Sequence, residues 1–222
     1  MTNLSIIIPS RNRSNLERCV RAIREAGEAC RIIVVDDGLD GWQFRKEDEP
    51  LSMLLGAKPF IFARNVNIGM RRSAADVVVL NDDALLDTPG GFTMLQKATE
   101  EHPEYGVIAA TTNNVGNRSQ LPQSIGLRED PRMVCFVAVL IPRHTIDAVG
   151  LLDEEFSGYG FEDDSYCLRV RRAGLKIGIH DGCFVDHRHL PSTFRSGAYP
   201  TEMFERNRLI FRRKYGADNH EL

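Results

Sequence analysis

Three short apolar runs, Ser5-Ile6-Ile7-Ile8, Ile32-Ile33-Val34-Val35 and Val77-Val78-Val79-Leu80, alternate with stretches of helical period. Unbroken apolar runs of this length belong to strands buried on both faces. Between the first two, Leu16, Cys19, Val20 and Ile23 fall at i, i+3, i+4 and i+7. They form one face of a helix that stops at Gly27, and Ser14 with Glu17 reads as its capping box. Residues 64–75 read as the helix before the third strand. A βαβαβ run implies an α/β fold built on a mostly parallel sheet with right-handed crossovers and flanking helices.

The residues just past the strand ends carry the chemistry. The second run ends in Asp36-Asp37-Gly38 and the third in Asn81-Asp82-Asp83. Open α/β sheets bind ligands in the crevice at the carboxyl ends of their strands. Adjacent carboxylates there need compensation by hydrogen-bond donors or a cation. A divalent metal carrying a phosphorylated ligand supplies it, because hard cations take oxygen ligands. One acidic turn is an ordinary surface feature; two strands presenting Asp-Asp at one edge are not explained that way.

A third acidic cluster, Glu162-Asp163-Asp164, opens a predicted helix over 162–173 behind Gly158-Tyr159-Gly160. Carboxylates favour a first helical turn in any protein. Crowding, however, raises their pKa and suits one of them to accept a proton. Asp186-His187-Arg188-His189 succeeds a short strand at 183–185. A neutral imidazole from this segment, brought beside Asp83, would complete an oxygen and nitrogen metal site.

The rest reads as helix over 90–101, strands over 106–111, 134–141 and 176–179, and a closing helix over 201–214. Residues 112–131 and 195–200 read as loops. A length of 222 residues suits one domain. A net charge of −3, with 42% hydrophobic and 27% charged residues, gives no reason to expect a nucleic-acid partner. No run is long enough to span a bilayer, and the strand at residue 5 leaves no room for a signal peptide. Five cysteines without CxxC spacing suggest a reduced, cytoplasmic protein. Phe204, Leu209, Ile210 and Phe211 of the last helix pack either internally or against a second subunit, so an oligomer is possible.

These motifs together resemble the nucleotide-sugar glycosyltransferases of the GT-A fold, in particular the large inverting family two. The resemblance rests on Ser5-Ile6-Ile7-Ile8-Pro9 with Arg11-Asn12-Arg13, Val34-Val35-Asp36-Asp37-Gly38, Ala63-Arg64-Asn65 with Asn67 and Gly69, and Leu80-Asn81-Asp82-Asp83. It continues in Gly150-Leu151-Leu152-Asp153 with Phe156, in Gly160-Phe161-Glu162-Asp163-Asp164 with Cys167, Arg169 and Gly174, and in His187. It implies a donor-binding half over 1–111 and an acceptor-binding, catalytic half over 112–222. Pro9, Arg11, Asp36, Asp37, Arg64, Asn65 and Asp82 are implied nucleotide contacts. Asp83 and His187, with His189 as the alternative, are implied ligands of Mn²⁺ or Mg²⁺. Asp163 is the implied general base, with Glu162 and Asp164 orienting a sugar, protein or lipid-linked acceptor.

Two positions depart from the family pattern. Asn81 stands where many members have an acid, and Ser165 replaces the last acid of Glu-Asp-x-Asp. A nucleotidyltransferase making nucleotide sugars is the rival enzyme reading, but Pro9-Ser10-Arg11-Asn12-Arg13 lacks the glycines of a phosphate loop. A signalling receiver domain would use only the Asp36-Asp37 pair. An inactive sugar-nucleotide binder would have no use for Asp163.

Overall fold

The computed structural model describes residues 3–39, 51–130, 132–158, 160–187 and 201–216. The sequence features at His189 and over 195–200 lie outside them.

Strand β1 (Leu4–Ser10) is buried along its whole length. Successive side chains leave a strand on opposite faces. Ile6 and Ile8 accordingly join one hydrophobic core, and Ile7 joins a second on the other side. Ile32 and Val34 of β2 (Arg31–Asp36) divide from Ile33 and Val35 in the same way. So do Val78 and Leu80 from Val77 and Val79 in β4 (Asp76–Leu80). The first core is closed by α1 (Arg13–Glu25) and α3 (Gly91–Glu101). The second is closed by α2 (Phe62–Arg72), α4 (Arg143–Val149) and α5 (Glu162–Arg172). Helix α2 lies so close to β1 that a Cβ on Gly69 would stand 2.5 Å from Ile7 Cγ2.

The remaining strands are β3 (Leu51–Leu55), β5 (Leu85–Leu86), β6 (Tyr105–Thr112), β7 (Leu127–Glu129), β8 (Ala138–Ile141) and β9 (Lys176–Asp186). The sheet runs β3-β2-β1-β4-β8-β6-β9-β5, with β7 also paired to β9. Strands β3, β2, β1 and β4 are mutually parallel. Strand β8 is antiparallel to both β4 and β6, and β9 is parallel to β6. The carboxyl ends of β1, β2, β4, β6 and β9 therefore share one edge with the start of β8. This edge brings distant sequence segments together.

The architecture is the expected α/β fold, with a mixed sheet. Parallel pairing holds through the first half, and β8 inserts antiparallel between β4 and β6. Other expectations are corrected. Helix α1 is capped by Asn12, whose side chain accepts from the Asn15 amide, and Ser14 lies inside the first turn. Residues 112–131 are not one loop: Arg118–Gln120 form a 3₁₀ turn and β7 pairs with β9. Asp130 anchors this segment by accepting from the Arg132 amide at 2.8 Å and the Met133 amide at 3.2 Å. The strand predicted over 134–141 begins only at Ala138, and the two short strands after 176 are one strand, β9. Polar His180-Asp181-Gly182 obscures that continuity, because a register shift in the β6–β9 pairing accommodates it.

Helix α6 (Thr201–Tyr215) packs against the molecule internally through Ile210 and Phe211, which meet Phe156 and Leu168. Leu209 remains 60% exposed. No helix among the described residues is long and apolar enough to cross a membrane. All five cysteines are free thiols.

Candidate active site

A cleft of about 460 Å³ opens at the shared strand edge. Its wall includes Pro9 and Arg11 after β1, Asn81, Asp82 and Asp83 after β4, and Asn114 after β6. Met133, Cys135 and Phe136 before β8, His187 after β9, and Glu162, Asp163 and Asp164 at the start of α5 also line it. Two acidic clusters about eighty positions apart in the chain thus face a common space.

Asp83 is buried, and its Oδ1 lies 3.1 Å from His187 Nε2. The other ring nitrogen, Nδ1, is 2.7 Å from the Asn114 carbonyl oxygen. A carbonyl only accepts, so Nδ1 carries the hydrogen. In the neutral ring Nε2 then presents a lone pair to a carboxylate oxygen. Two such acceptors need a proton or a cation between them. Metal-binding histidines are commonly held in this way, with the second N–H donated to a carbonyl. Adjacent ligands of an octahedral cation at about 2.1 Å stand about 3 Å apart, which matches the spacing here. The donor set fits a divalent ion of the Mg²⁺ or Mn²⁺ type.

The His187 backbone is fixed by the Asn113 side chain, which accepts from its amide at 3.0 Å and donates to Asp186 at 2.7 Å. Sequence reading missed the Asn113-Asn114 pair. The only signal was a pair of amides directly after a strand, and their use depends on β6 lying beside β9.

Asp82 is held differently. Its Oδ2 accepts from Ser10 Oγ at 2.5 Å, and its Oδ1 lies 3.4 Å from the buried Asn15 side chain. Burial, partly offset by Ser10 and aggravated by Asp83, pushes its pKa up to about 6. The Asn12 backbone amide is a further donor to this carboxylate.

The triad begins α5 from an unusual backbone: Phe161 is left-handed, with φ 77°. A bulky residue rarely adopts that conformation unless its surroundings enforce it. Asp163 Oδ1 accepts from the Asp164 amide at 2.9 Å. Desolvation raises the pKa of all three carboxyls, and Asp163 raises Glu162 and Asp164 further, to about 8 each. At neutral pH the cluster therefore retains protons and shares less than full negative charge. Ser165, the departure from Glu-Asp-x-Asp, turns inward: it is fully buried and its Oγ lies 2.8 Å from the Tyr215 hydroxyl.

Asp36, Asp37, Arg64 and Asn65 are not among the cleft-lining residues. They gather around the segment after β3. Asp36 Oδ1 accepts from the amides of Gly38 and Leu39, each at 2.7 Å. Asp37 is buried, with Lys58 Nζ 3.1 Å from its Oδ1 in an ion pair that lacks hydrogen-bond alignment. Arg64 donates to the carbonyls of Ala57 and Pro59, and Asn65 accepts from the Ala57 amide. Asn67 exchanges bonds of 2.9 Å with the Leu152 backbone in both directions. Of these, Arg64 and Asn65 brace the segment that carries Phe60 and Phe62 into the cleft wall. Among the described residues no three His, Cys, Asp or Glu side chains cluster as a metal site.

Comparison with solved structures defines the class first: this is a GT-A glycosyltransferase fold. GalNAc-T7 with UDP, GalNAc and Mn²⁺ aligns with a TM-score of 0.64 at 12% identity, over 83% of this chain and 43% of that one. TarS of S. aureus aligns with a TM-score of 0.65 at 14% identity, over 99% and 41%. The catalytic domain of Drosophila β1,4-galactosyltransferase 7 in complex with xylobiose gives 0.59 at 16%, over 92% and 79%. The sequence settles the family: residues 5–147 match the model of glycosyl transferase family 2, and the chain belongs to it. Among curated relatives, Sinorhizobium fredii protein y4gI is 28% identical over 207 residues. That match covers 77% of this chain but only 23% of the relative, so the chain spans about a quarter of that protein.

Proposed function

We propose that this protein transfers a sugar from a nucleoside-diphosphate sugar to an acceptor hydroxyl with inversion at the anomeric carbon. The observation that carries the reading is the shared cleft, in which the Asp83–His187 pair and the Asp163 triad line one cavity. Asp83 and His187 would hold Mn²⁺ or Mg²⁺, which when bound supplies neutralising charge to a departing diphosphate. Asp82, fixed by Ser10 and Asn15, accepts from a ribose hydroxyl. Pro9 and Arg11 contribute the mouth of the nucleotide site. Arg64 and Asn65 support that site by bracing its wall.

On the opposite side Asp163 accepts the proton of the acceptor hydroxyl as the oxygen bonds to the anomeric carbon and the bond to diphosphate breaks. Its raised pKa suits this role, because a base works best near the pH of the reaction. Glu162 and Asp164, largely protonated at neutral pH, orient the acceptor without competing for its proton.

The test is to incubate the protein with UDP-, GDP- and dTDP-sugars and Mn²⁺, measure nucleoside diphosphate release, and assign the product anomer by NMR. Release of an inverted product, reduced about 10²–10⁴-fold in Asp163→Asn with nucleotide binding preserved, supports the reading. Full transfer by Asp163→Asn removes the base assignment, and a retained anomer removes inversion.

A further inference from the structure

We propose that Phe204 is the platform of an acceptor subsite that takes the face of a hexopyranose ring; this rests on the sugar-transfer reading above. Phe204 lines the cleft and is 40% exposed, although an apolar stack stands directly behind it. Its ring lies 5.0 Å from Phe161, which lies 5.5 Å from Phe211, which in turn lies 4.8 Å from Tyr215. From buried Phe211 the row passes through half-buried Phe161 to Phe204 in the cleft.

The position beside the triad is fixed by two glycines. Gly158 and Gly160 have φ of 83° and 86°. A Cβ on Gly158 would stand 2.5 Å from Met203 Sδ, and one on Gly160 would stand 3.3 Å from Phe204 Cδ2. Their positive φ and the close approach of Met203 and Phe204 both favour glycine at these two positions. Asn207, one helical turn beyond Met203, locks the approach by donating to the carbonyls of Ser157 and Gly160 at 3.0 and 2.9 Å. Phe204 is thus held over Gly160, two positions before Glu162.

An aromatic face next to three carboxyls selects a particular chemistry. A pyranose has an apolar C–H face and a rim of hydroxyls, and each finds its complement here. A peptide ammonium could also sit over the ring by cation–π attraction, but it brings only donors and would favour fully ionised acids. An alkyl chain would use the ring and leave the carboxyls without partners. Protonated Glu162 and Asp164 both donate and accept hydrogen bonds, as sugar hydroxyls do.

The experiment is saturation-transfer NMR with methyl glucopyranoside, galactopyranoside, mannopyranoside and N-acetylglucosaminide. The protein is loaded with Mn²⁺ and whichever of UDP, GDP or dTDP raises its melting temperature most. Saturation of ring C–H protons of at least one glycoside is expected. Affinity should fall about tenfold in Phe204→Ala and Phe204→Leu, and be kept by Phe204→Trp. Leucine retains apolar bulk without a flat face, so it separates stacking from folding. No glycoside bound by the wild type, or undiminished binding by Phe204→Ala and Phe204→Leu, overturns the subsite. The nucleotide-induced melting shift reports on the donor site separately. Its absence, with glycosides still bound, would count against sugar transfer and leave the subsite standing.

Discussion

At the scale of single residues, His187 illustrates how a hydrogen bond prepares a ligand. The Asn114 carbonyl accepts a hydrogen bond from Nδ1–H, which leaves Nε2 facing Asp83. Removing either side chain should abolish the Mn²⁺-dependent part of the nucleoside-diphosphate melting shift, so His187→Ala and Asp83→Asn should respond to nucleotide alone. An undiminished Mn²⁺ response in both variants would exclude the pair as a metal site. Sequence could name His187 and His189 as alternatives; the path of β9 beside β6 brings His187 to Asp83. The Asp36, Asp37, Arg64 and Asn65 motif makes its own contacts within the fold. Its residue types suit ligand binding equally well, and their partners in the fold are carbonyls, amides and Lys58.

At the scale of elements, α6 braces the helix that carries the proposed base. Asn207 is fully buried and ties this helix to the Ser157 and Gly160 carbonyls; Tyr215 meets Ser165, and Lys214 pairs with Asp153 and Glu155. Asn207→Ala leaves two part-buried carbonyls without their donor and should cost about 1–3 kcal/mol, read from the midpoint of urea unfolding. A shift within error would show that water replaces the amide. Gly69 tests the other face of the sheet. Gly69→Val forces α2 away from Ile7 and should destabilise by about 1–3 kcal/mol through overpacking. Unchanged melting would mean the helix can move outward freely.

At the scale of the whole molecule, the cleft sets a pH dependence of stability. Asp82, raised to about 6, and Glu162 and Asp164, raised to about 8, hold protons that the unfolded chain has already lost. Between the ordinary carboxylate range and those values the folded state binds more protons, so stability falls as pH rises. Without metal or nucleotide, the melting temperature should decline from pH 5 to pH 8. The decline should be shallower in Glu162→Gln, which cannot ionise. A rising or flat wild-type profile would mean that other groups dominate the balance.

Strand cores, helix faces and the three acidic clusters were legible in the sequence, because burial on two faces and helical period leave local patterns. The family resemblance was legible for the same reason, since its motifs are short contiguous strings. Pairing was not local. The antiparallel insertion of β8, the union of β9 across polar residues and the use of Asn113 and Asn114 depend on which strands become neighbours. Chemistry at the cleft came from that arrangement: the strand edge placed Asp83 beside His187, and α6 laid Met203 and Phe204 against Gly158 and Gly160.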